Sequence, residues 1–212
     1  MSHDDFAFEP IKGLPQEPPR GEVILWQGRP HWWRLTVESL NLWWVVGYFV
    51  CLGLWRFVSV IDVFTLSRAI AVSVPFLILG GITALMLMLV GYVQARSTVY
   101  TITNRRVAMR VGAALTVTLN LPFTQIENAS VARGKSGTGN IALDTVGHTP
   151  FSFLVLWPHA RPWHFAKPQP TLRSIPNVTE VSDVLAKAAK ARIIEVENSQ
   201  DASAPELSIA AQ

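Results

Sequence analysis

The sequence predicts an α+β membrane protein, in which a two-helix transmembrane hairpin carries an antiparallel β domain closed by one C-terminal helix. Three observations predict it. Hydrophobic residues make up 50% of the 212 residues and charged residues only 16%, more apolar than a water-soluble domain requires. Two apolar stretches in the first half are each about as long as a bilayer span. Beyond Arg96 the hydrophobic period changes to two, which is the pattern of half-buried strands.

Residues 1–39 form a lead segment. Pro10, Pro15, Pro18 and Pro19 favour extended backbone over helix. The run from Gly21 to Pro30 is strand-like and is expected either to pair with the later domain or to lie at the membrane surface. Asp4, Asp5 and Glu9 stand where a cleavable signal would be basic, so the first hydrophobic helix is expected to direct insertion itself.

The hairpin occupies residues 40–93. From Leu40 to Ile61 only Asn41, Arg56 and Ser59 interrupt an apolar run, and Ala69 to Val93 carries no charge. Each reaches the roughly 20 residues that a span requires. Pro75 and the Gly80-Gly81 pair are tolerated in membrane helices. The connection Asp62 to Arg68 is too short to hold a domain, so both ends of the hairpin share one side. Arg29 and Arg34 precede the hairpin and Arg96, Arg105, Arg106 and Arg110 follow it, while the turn offers Arg68. The positive-inside rule therefore places both termini in the cytoplasm. Trp32, Trp33 and Tyr92 fall at the level of an interfacial aromatic belt. Gly47, Gly53, Gly80, Gly81 and Ala84 allow close approach of other membrane helices.

Residues 97–192 read as the β domain. Strands are expected near Thr98–Thr103, Arg106–Val111, Ala114–Leu121, Gln125–Arg133, Asn140–Val146 and Phe151–Trp157. Turns at Asn104, Gly112, Pro122, Gly137–Gly139 and Gly147–Pro150 separate them. The close spacing implies an antiparallel meander. An irregular stretch from Pro158 to Pro176 leads to a helix over Val178–Arg192, with Asn177 as N-cap and Glu180 three residues later. Its buried stripe is Val178, Val181, Leu185 and Ala188. Strands closed by one amphipathic helix are the plan of a pleckstrin-homology-like β barrel. Residues 193–212, with Ser199, Asp201 and Pro205, read as a disordered tail.

Between Ser97 and Arg192 there are eleven Lys or Arg against four Asp or Glu, a net of +7. A basic domain beside a membrane favours anionic lipid, and no nucleic-acid recognition motif accompanies the charge. Cys51 is the only cysteine, which excludes an intrachain disulfide and a cysteine-based metal cluster. Ala129 to Ser136 has the composition of a relaxed phosphate loop, but a glycine turn and a strand follow where that loop needs a helix. His159 and His164 lack neighbouring acidic or cysteine ligands at metal-binding spacing. No residues assemble a nucleophile, a base and oxyanion donors, so the chain is expected to be no enzyme. Asn177-Val178-Thr179 fits the glycosylation pattern but opens a helix on the cytoplasmic side and is expected to stay unmodified.

The segment Trp157-Pro158-His159-Ala160-Arg161-Pro162-Trp163-His164-Phe165 gathers aromatic, guanidinium and imidazole groups on a proline-stiffened loop, a composition enriched at binding anchors. Arg161, Trp163, His159 and His164 are its partner-binding candidates, and Trp32 and Trp33 join them at the membrane edge. Trp157 ends an alternating strand and is assigned to the core. Arg105, Arg106 and Arg110 are candidates to face lipid headgroups. His31, beside Trp32 and Trp33, is the candidate ligand for a pigment.

Val99-Tyr100-Thr101-Ile102-Thr103-Asn104-Arg105-Arg106-Val107 resembles the first hairpin of bacterial pleckstrin-homology-like domains that follow membrane helices. Gly21 to Trp33, Leu121 to Glu127, Leu156 to His164 and Pro170 to Arg173 are similar to the photosynthetic complex assembly proteins of purple bacteria, and the likeness runs from Phe6 to Arg192. It implies an accessory factor of the bacterial intracytoplasmic membrane, encoded near the reaction-centre H subunit. Such a factor acts, without catalysis, in the assembly of reaction centres with their core light-harvesting antenna. The partners so implied are reaction-centre and antenna subunits and the bilayer; a homodimer stays open. The alternative is a membrane-anchored module that binds anionic lipid or organises the envelope. A third reading has bacteriochlorophyll as cofactor, held through His31.

Overall fold

The computed structural model describes residues 13–14, 16–112, 116–134, 137–147 and 152–203. Two compact units are present: one joins residues 1–30 to residues 97–212, and the other is residues 31–96. Strand β1 (Ile24–Gly28) belongs to the first unit although it precedes the helices. The strand-like run therefore pairs with the later domain, and the apolar hairpin interrupts that domain after its first strand.

In the helical unit, α1 (Trp32–Ser39) is capped by His31, whose Nδ1 accepts from the Arg34 amide at 3.5 Å. No helix was expected in that stretch, where the aromatic pair masks an amphipathic helix of only about two turns. Helix α2 (Leu42–Val60) and helix α3 (Leu66–Ser97) match the two predicted spans, and Pro75 lies inside α3. They pack through small residues. A side chain at Gly80 would meet Cβ of Phe49 at 2.6 Å, and one at Gly53 would meet Cδ2 of Leu77 at 3.1 Å. Gly47 and Gly81 face open space instead. The expectation that all these glycines serve outside helices is thus divided, since Gly53 and Gly80 are used within the hairpin.

In the β unit, β2 (Val99–Thr103), β3 (Arg106–Val111) and β4 (Val117–Pro122) join β1 in an antiparallel sheet of order β1-β2-β3-β4. A short 3-10 turn, Phe123–Gln125, leads to β5 (Ile126–Arg133) and β6 (Gly139–Thr145), which with β7 (Thr171–Ile175) form a second antiparallel sheet, β5-β6-β7. The meander is as expected, but the sheets do not close into a barrel. Ala114 and Leu115 of the predicted strand Ala114–Leu121, and Phe151, lie outside the described residues.

The predicted strand Phe151–Trp157 is instead a short helix, α4 (Phe153–Leu156), and the last strand is β7, inside the stretch expected to be irregular. Strand β6 has β5 on one edge and β7 on the other, so no place beside it remains for the predicted segment. Helix α5 runs from Val178 to Ser203, past the expected end at Arg192. The part of the presumed tail up to Ser203 is therefore helical; residues 204–212 lie outside the described residues.

The core lies between the two sheets and α5. Tyr100, Ile102, Met109, Leu119, Ile141, Leu143, Leu156, Leu172 and Ile175 are almost fully buried. The predicted stripe of Val178, Val181, Leu185 and Ala188 packs on them. Burying the facing sides of two sheets and one helix in one contiguous cluster is the main source of stability available to a domain of this size.

Candidate functional site

The loop between β6 and β7 is built on a buried polar root. Tyr100 points from β2 into the core, where its hydroxyl accepts from the Arg173 amide at 3.1 Å and lies 2.6 Å from His159 Nδ1. A hydroxyl that accepts one bond donates its single proton to the other partner, so Nδ1 is the acceptor. This assigns the ring proton to Nε2, which donates to Thr98 Oγ1 at 3.1 Å. Burial, with the nearby Arg173 guanidinium adding to it, pushes the His159 pKa down to about 3. Burial also raises the Tyr100 phenol above its ordinary value, against the opposing influence of Arg173. The root is therefore neutral at His159 and Tyr100, and Arg173 Nη1 is 3.4 Å from the Ala160 carbonyl.

Above the root the chain makes a closed excursion. Ala160 bridges Pro170, the Thr171 amide donates to the His159 carbonyl at 2.8 Å, and Arg161 donates to Gln169 through its amide at 3.0 Å and Nη1 at 2.9 Å. Pro162 to Lys167 form the tip. The Phe165 ring lies tilted against Phe153 of α4, centroids 4.7 Å apart, and edge-on to Trp163 at 6.3 Å. Lys167 Nζ reaches Asp144 of β6 at 2.9 Å, which holds that carboxyl below its usual value.

The candidates divide accordingly. Trp163 is 86% exposed, at φ 63, a left-handed conformation that bulky residues rarely adopt. His164 Nδ1 lies 2.8 Å from the Pro162 carbonyl, and Arg161 is half-buried against Gln169. His159 is fully buried, so it cannot touch a partner; it holds the loop in place. Trp157, assigned to the core, is 46% exposed. The helical turn of α4 puts Phe153 and Leu156 inward at i and i+3, and leaves Leu154, Val155 and Trp157 outside. Leu154, at 83% exposure, was not singled out in the sequence because the strand pattern hid it.

Arg106 is engaged within the domain: its Nε donates to Glu22 Oε1 at 2.8 Å, and the Glu22 side chain is 3% exposed. A buried carboxylate requires such a partner. Arg105 and Arg110 are half-buried on either side of it. In the helical unit Trp32 packs edge-on against Trp33 at 5.7 Å and Tyr92 at 6.1 Å, and Arg96 sits 5.7 Å over the Tyr92 ring. His31 is exposed, with Nδ1 engaged in the helix cap. The phosphate-loop resemblance resolves as a hairpin, in which the Gly134 amide donates to the Thr138 carbonyl at 2.7 Å; Lys135 and Ser136 lie outside the described residues. Among the described residues no three His, Cys, Asp or Glu gather where a metal ion could be held. A groove of about 420 Å³ between β5 and α5 is lined by Ile126, Val131, Leu185 and Ile193 among others.

Both α2 and α3 are long and apolar enough to cross a membrane, and only 11% of each apolar window is buried. Trp44 is 82% and Trp55 77% exposed, an apolar surface far larger than water-soluble monomers tolerate.

Residues 46–189 match the family described as Bacterial PH domain. A protein of Rhodobacter capsulatus, described as an uncharacterized 23.7 kDa protein in the puhA 5' region, is 40% identical over 201 residues and 92% of each chain is covered. No solved structure matches.

Proposed function

We propose that this chain, which belongs to the bacterial PH domain family, is a non-enzymatic membrane factor that assists assembly of the photosynthetic reaction centre with its core light-harvesting antenna. The observation that carries this reading is the relative of near-equal length whose name places it in the puhA 5' region, a reaction-centre gene region. Helices α2 and α3 cross the intracytoplasmic membrane, and the arginines flanking the hairpin hold both ends and the β domain in the cytoplasm. The anchorage is double. Gly28 of β1 pairs with Tyr100 of β2, so the chain leaves the sheet for the hairpin and returns from it at one end of one strand pair. A domain joined to the hairpin through two chain connections stays close to the membrane, which suits a factor that handles newly inserted subunits. Gly47 and Gly81, with open space beside them, offer backbone approach to client helices.

The test is crosslinking in membranes of photosynthetically grown cells, followed by mild solubilisation and recovery of this chain. Reaction-centre or antenna subunits are expected among the crosslinked products, and a strain lacking the gene should accumulate less of the joined complex. Recovery without any such subunit, together with normal complex levels in the deletion strain, refutes the proposal.

A further inference from the structure

The two edges of the second sheet differ. Strand β7 is buried at all five residues, whereas six of the eight residues of β5 are exposed and none is buried. Leu143 of β6 turns its amide toward β7, where it donates to the Pro170 carbonyl at 2.8 Å. Backbone groups alternate edges along a strand, so Ala142 and Asn140 are the residues of β6 bonded to β5, at Ser130 and Ala132. Ala129, Val131 and Arg133 therefore point their N–H and C=O groups away from the sheet, along an edge that no described strand occupies. Free edges are commonly blunted by charge, proline or a bulge. Here the bulge lies at the start of the strand, between Ile126 and Asn128, and the centre, Ala129-Ser130-Val131-Ala132, has neither charge nor proline.

The side chains of β5 say what fits this edge. Ala129 and Val131 stand opposite Leu143 and Ile141 of β6, which are buried in the core. Directly opposed residues share a face, so Ala129 and Val131 lie on the core side of the sheet. Val131 is nevertheless 40% exposed, because α5 leaves the groove along this strand, with Ala186, Ala189 and Ile193 on its helical wall. A strand added at the edge completes the sheet with its backbone and covers the groove with alternate side chains. Strand β5 matches itself in that role. Laid antiparallel on a copy and centred on Ser130, it sets Val131 opposite the copy's Ala129 and Ala129 opposite the copy's Val131. These are the residues with outward backbone groups, so they make the hydrogen-bonded pairs. The same register brings Glu127 beside the copy's Arg133 and Arg133 beside the copy's Glu127. Both residues are exposed, and Glu127 is 3.9 Å from Lys167, beyond hydrogen-bond range. A centre at Ala129 or Val131 puts Arg133 opposite Gln125 or Ala129 instead.

We infer that the β5 edge with its groove is the interface for a second copy of this chain, joined antiparallel about Ser130 so that two three-stranded sheets become one continuous sheet. The contact is two-fold, so a single match of Glu127 with Arg133 occurs twice, and the pairing closes at two copies. The opposed charges fix its register, and the Ala129–Val131 pairs fill the open side of the groove. The inference uses the β unit alone and is independent of the assembly reading.

The experiment uses the full chain with Cys51→Ser, purified alone in mild detergent, so that an added cysteine is the only one. At the centre of the pairing the two Cα atoms of residue 130 lie about 4.5 Å apart, within the roughly 4.4–6.8 Å that a disulfide bridges. Ser130→Cys is therefore expected to give a disulfide-linked dimer on mild oxidation with copper phenanthroline. Ala132→Cys alone, with its two copies about 13 Å apart along the strands, is expected to stay monomeric on a denaturing gel. Mixed with Asn128→Cys, which this register sets opposite, it is expected to link. Without any added cysteine, Arg133→Glu or Glu127→Arg should each weaken self-association about tenfold in sedimentation, and the two changes together should restore it. Absence of a link at 130 in a variant that melts like its parent overturns the inference, as does equal linking at 130 and 132. A dimer indifferent to both charge reversals is held elsewhere, and it overturns the inference too. Linking at 130 that appears only after residues 204–212 are removed assigns the edge to the chain's own C-terminal end. Shielding of 130 from maleimide only when reaction-centre or antenna subunits are added, with no link between copies, assigns it to another protein; either result overturns the second copy as occupant.

Discussion

The root and the tip of the β6–β7 excursion invert the ordinary placement of side chains. At the root, Thr98, Tyr100, His159 and Arg173 are polar and buried; at the tip, Leu154, Trp163 and Phe165 are apolar and exposed. A buried polar cluster is tolerated only when its members satisfy one another, and this one does so through a chain of hydrogen bonds running from the Arg173 amide to Thr98. An exposed apolar cluster contributes little to the fold. The difference teaches that the root ties the loop to the core of the domain through buried hydrogen bonds, while the tip adds little to that hold. Effects on stability should therefore separate along this segment.

The largest expected effect separates two leucines of α4. Leu156 is fully buried and Leu154 is 83% exposed, although they are two residues apart. Leu156→Ala removes packing on both sheets and should cost about 2–5 kcal/mol. Leu154→Ala should stay within about 0.5 kcal/mol, the range of ordinary surface changes. Denaturant unfolding of both variants in the same detergent checks this. Equal losses would break the comparison, because the tip would then be part of the fold.

A smaller effect reports on the root through pH. His159 stays neutral in the folded chain down to about 3, whereas the unfolded chain takes up the proton near about 6.5. Between these values the unfolded state binds more protons, so stability is fully present above the unfolded pKa and is lost as pH falls through that window. At about pH 5 the loss from this one group is about 2 kcal/mol. His159→Gln should lower stability at neutral pH and flatten the fall between neutral pH and about pH 5. A variant whose melting temperature falls with pH as steeply as the parent's would show that the imidazole is not the buried neutral group of the root.

The sequence made the outline of the molecule legible and this segment only partly so. Helices α2 and α3 are legible from the length of their apolar runs, and strand β4 and the stripe of α5 from periods that solvent exposure imposes, whereas β2, buried at all five residues, is legible from its β-branched and aromatic composition and the turn at Asn104. Strand β7 has no period, since all five of its residues, including Thr171, Arg173 and Ser174, are buried, and their polar groups are satisfied by distant partners that no local pattern reveals. The alternation of Phe153, Val155 and Trp157 misled in the opposite way. It mimics a strand with one buried face, yet Val155 and Trp157 are apolar residues left outside. The burial of His159 depends on Tyr100, 59 positions earlier, and the pairing of Arg106 depends on Glu22, 84 positions earlier. In both cases the sequence shows a polar residue and the fold decides what it meets. Trp163 stands exposed on its proline-bound loop, whereas Arg161 is spent on Gln169, a partner eight positions away that no local pattern reveals.

The smallest expected effect tests how the tip is held. Lys167 Nζ is 2.9 Å from Asp144 and 3.9 Å from Glu127, but Lys167 and Asp144 are 41% and 31% exposed. Water and salt screen such a pair, so Lys167→Met, which keeps the apolar stem, should cost less than about 1 kcal/mol. Lys167 holds the Asp144 carboxyl below its ordinary pKa. That contribution is present above the unfolded carboxylate pKa and is lost as pH falls through the depressed one. It should also shrink at about 1 M salt, where the screening length is about 3 Å. The ion pair links the tip to β6, so its loss should act on the tip's order more than on global stability. Amide hydrogen exchange of residues 163–166 should therefore quicken in Lys167→Met while exchange in β7 stays at the parent rate. If β7 loosens together with the tip, root and tip open as one unit, and the division between a buried root and a separately held tip does not describe this loop.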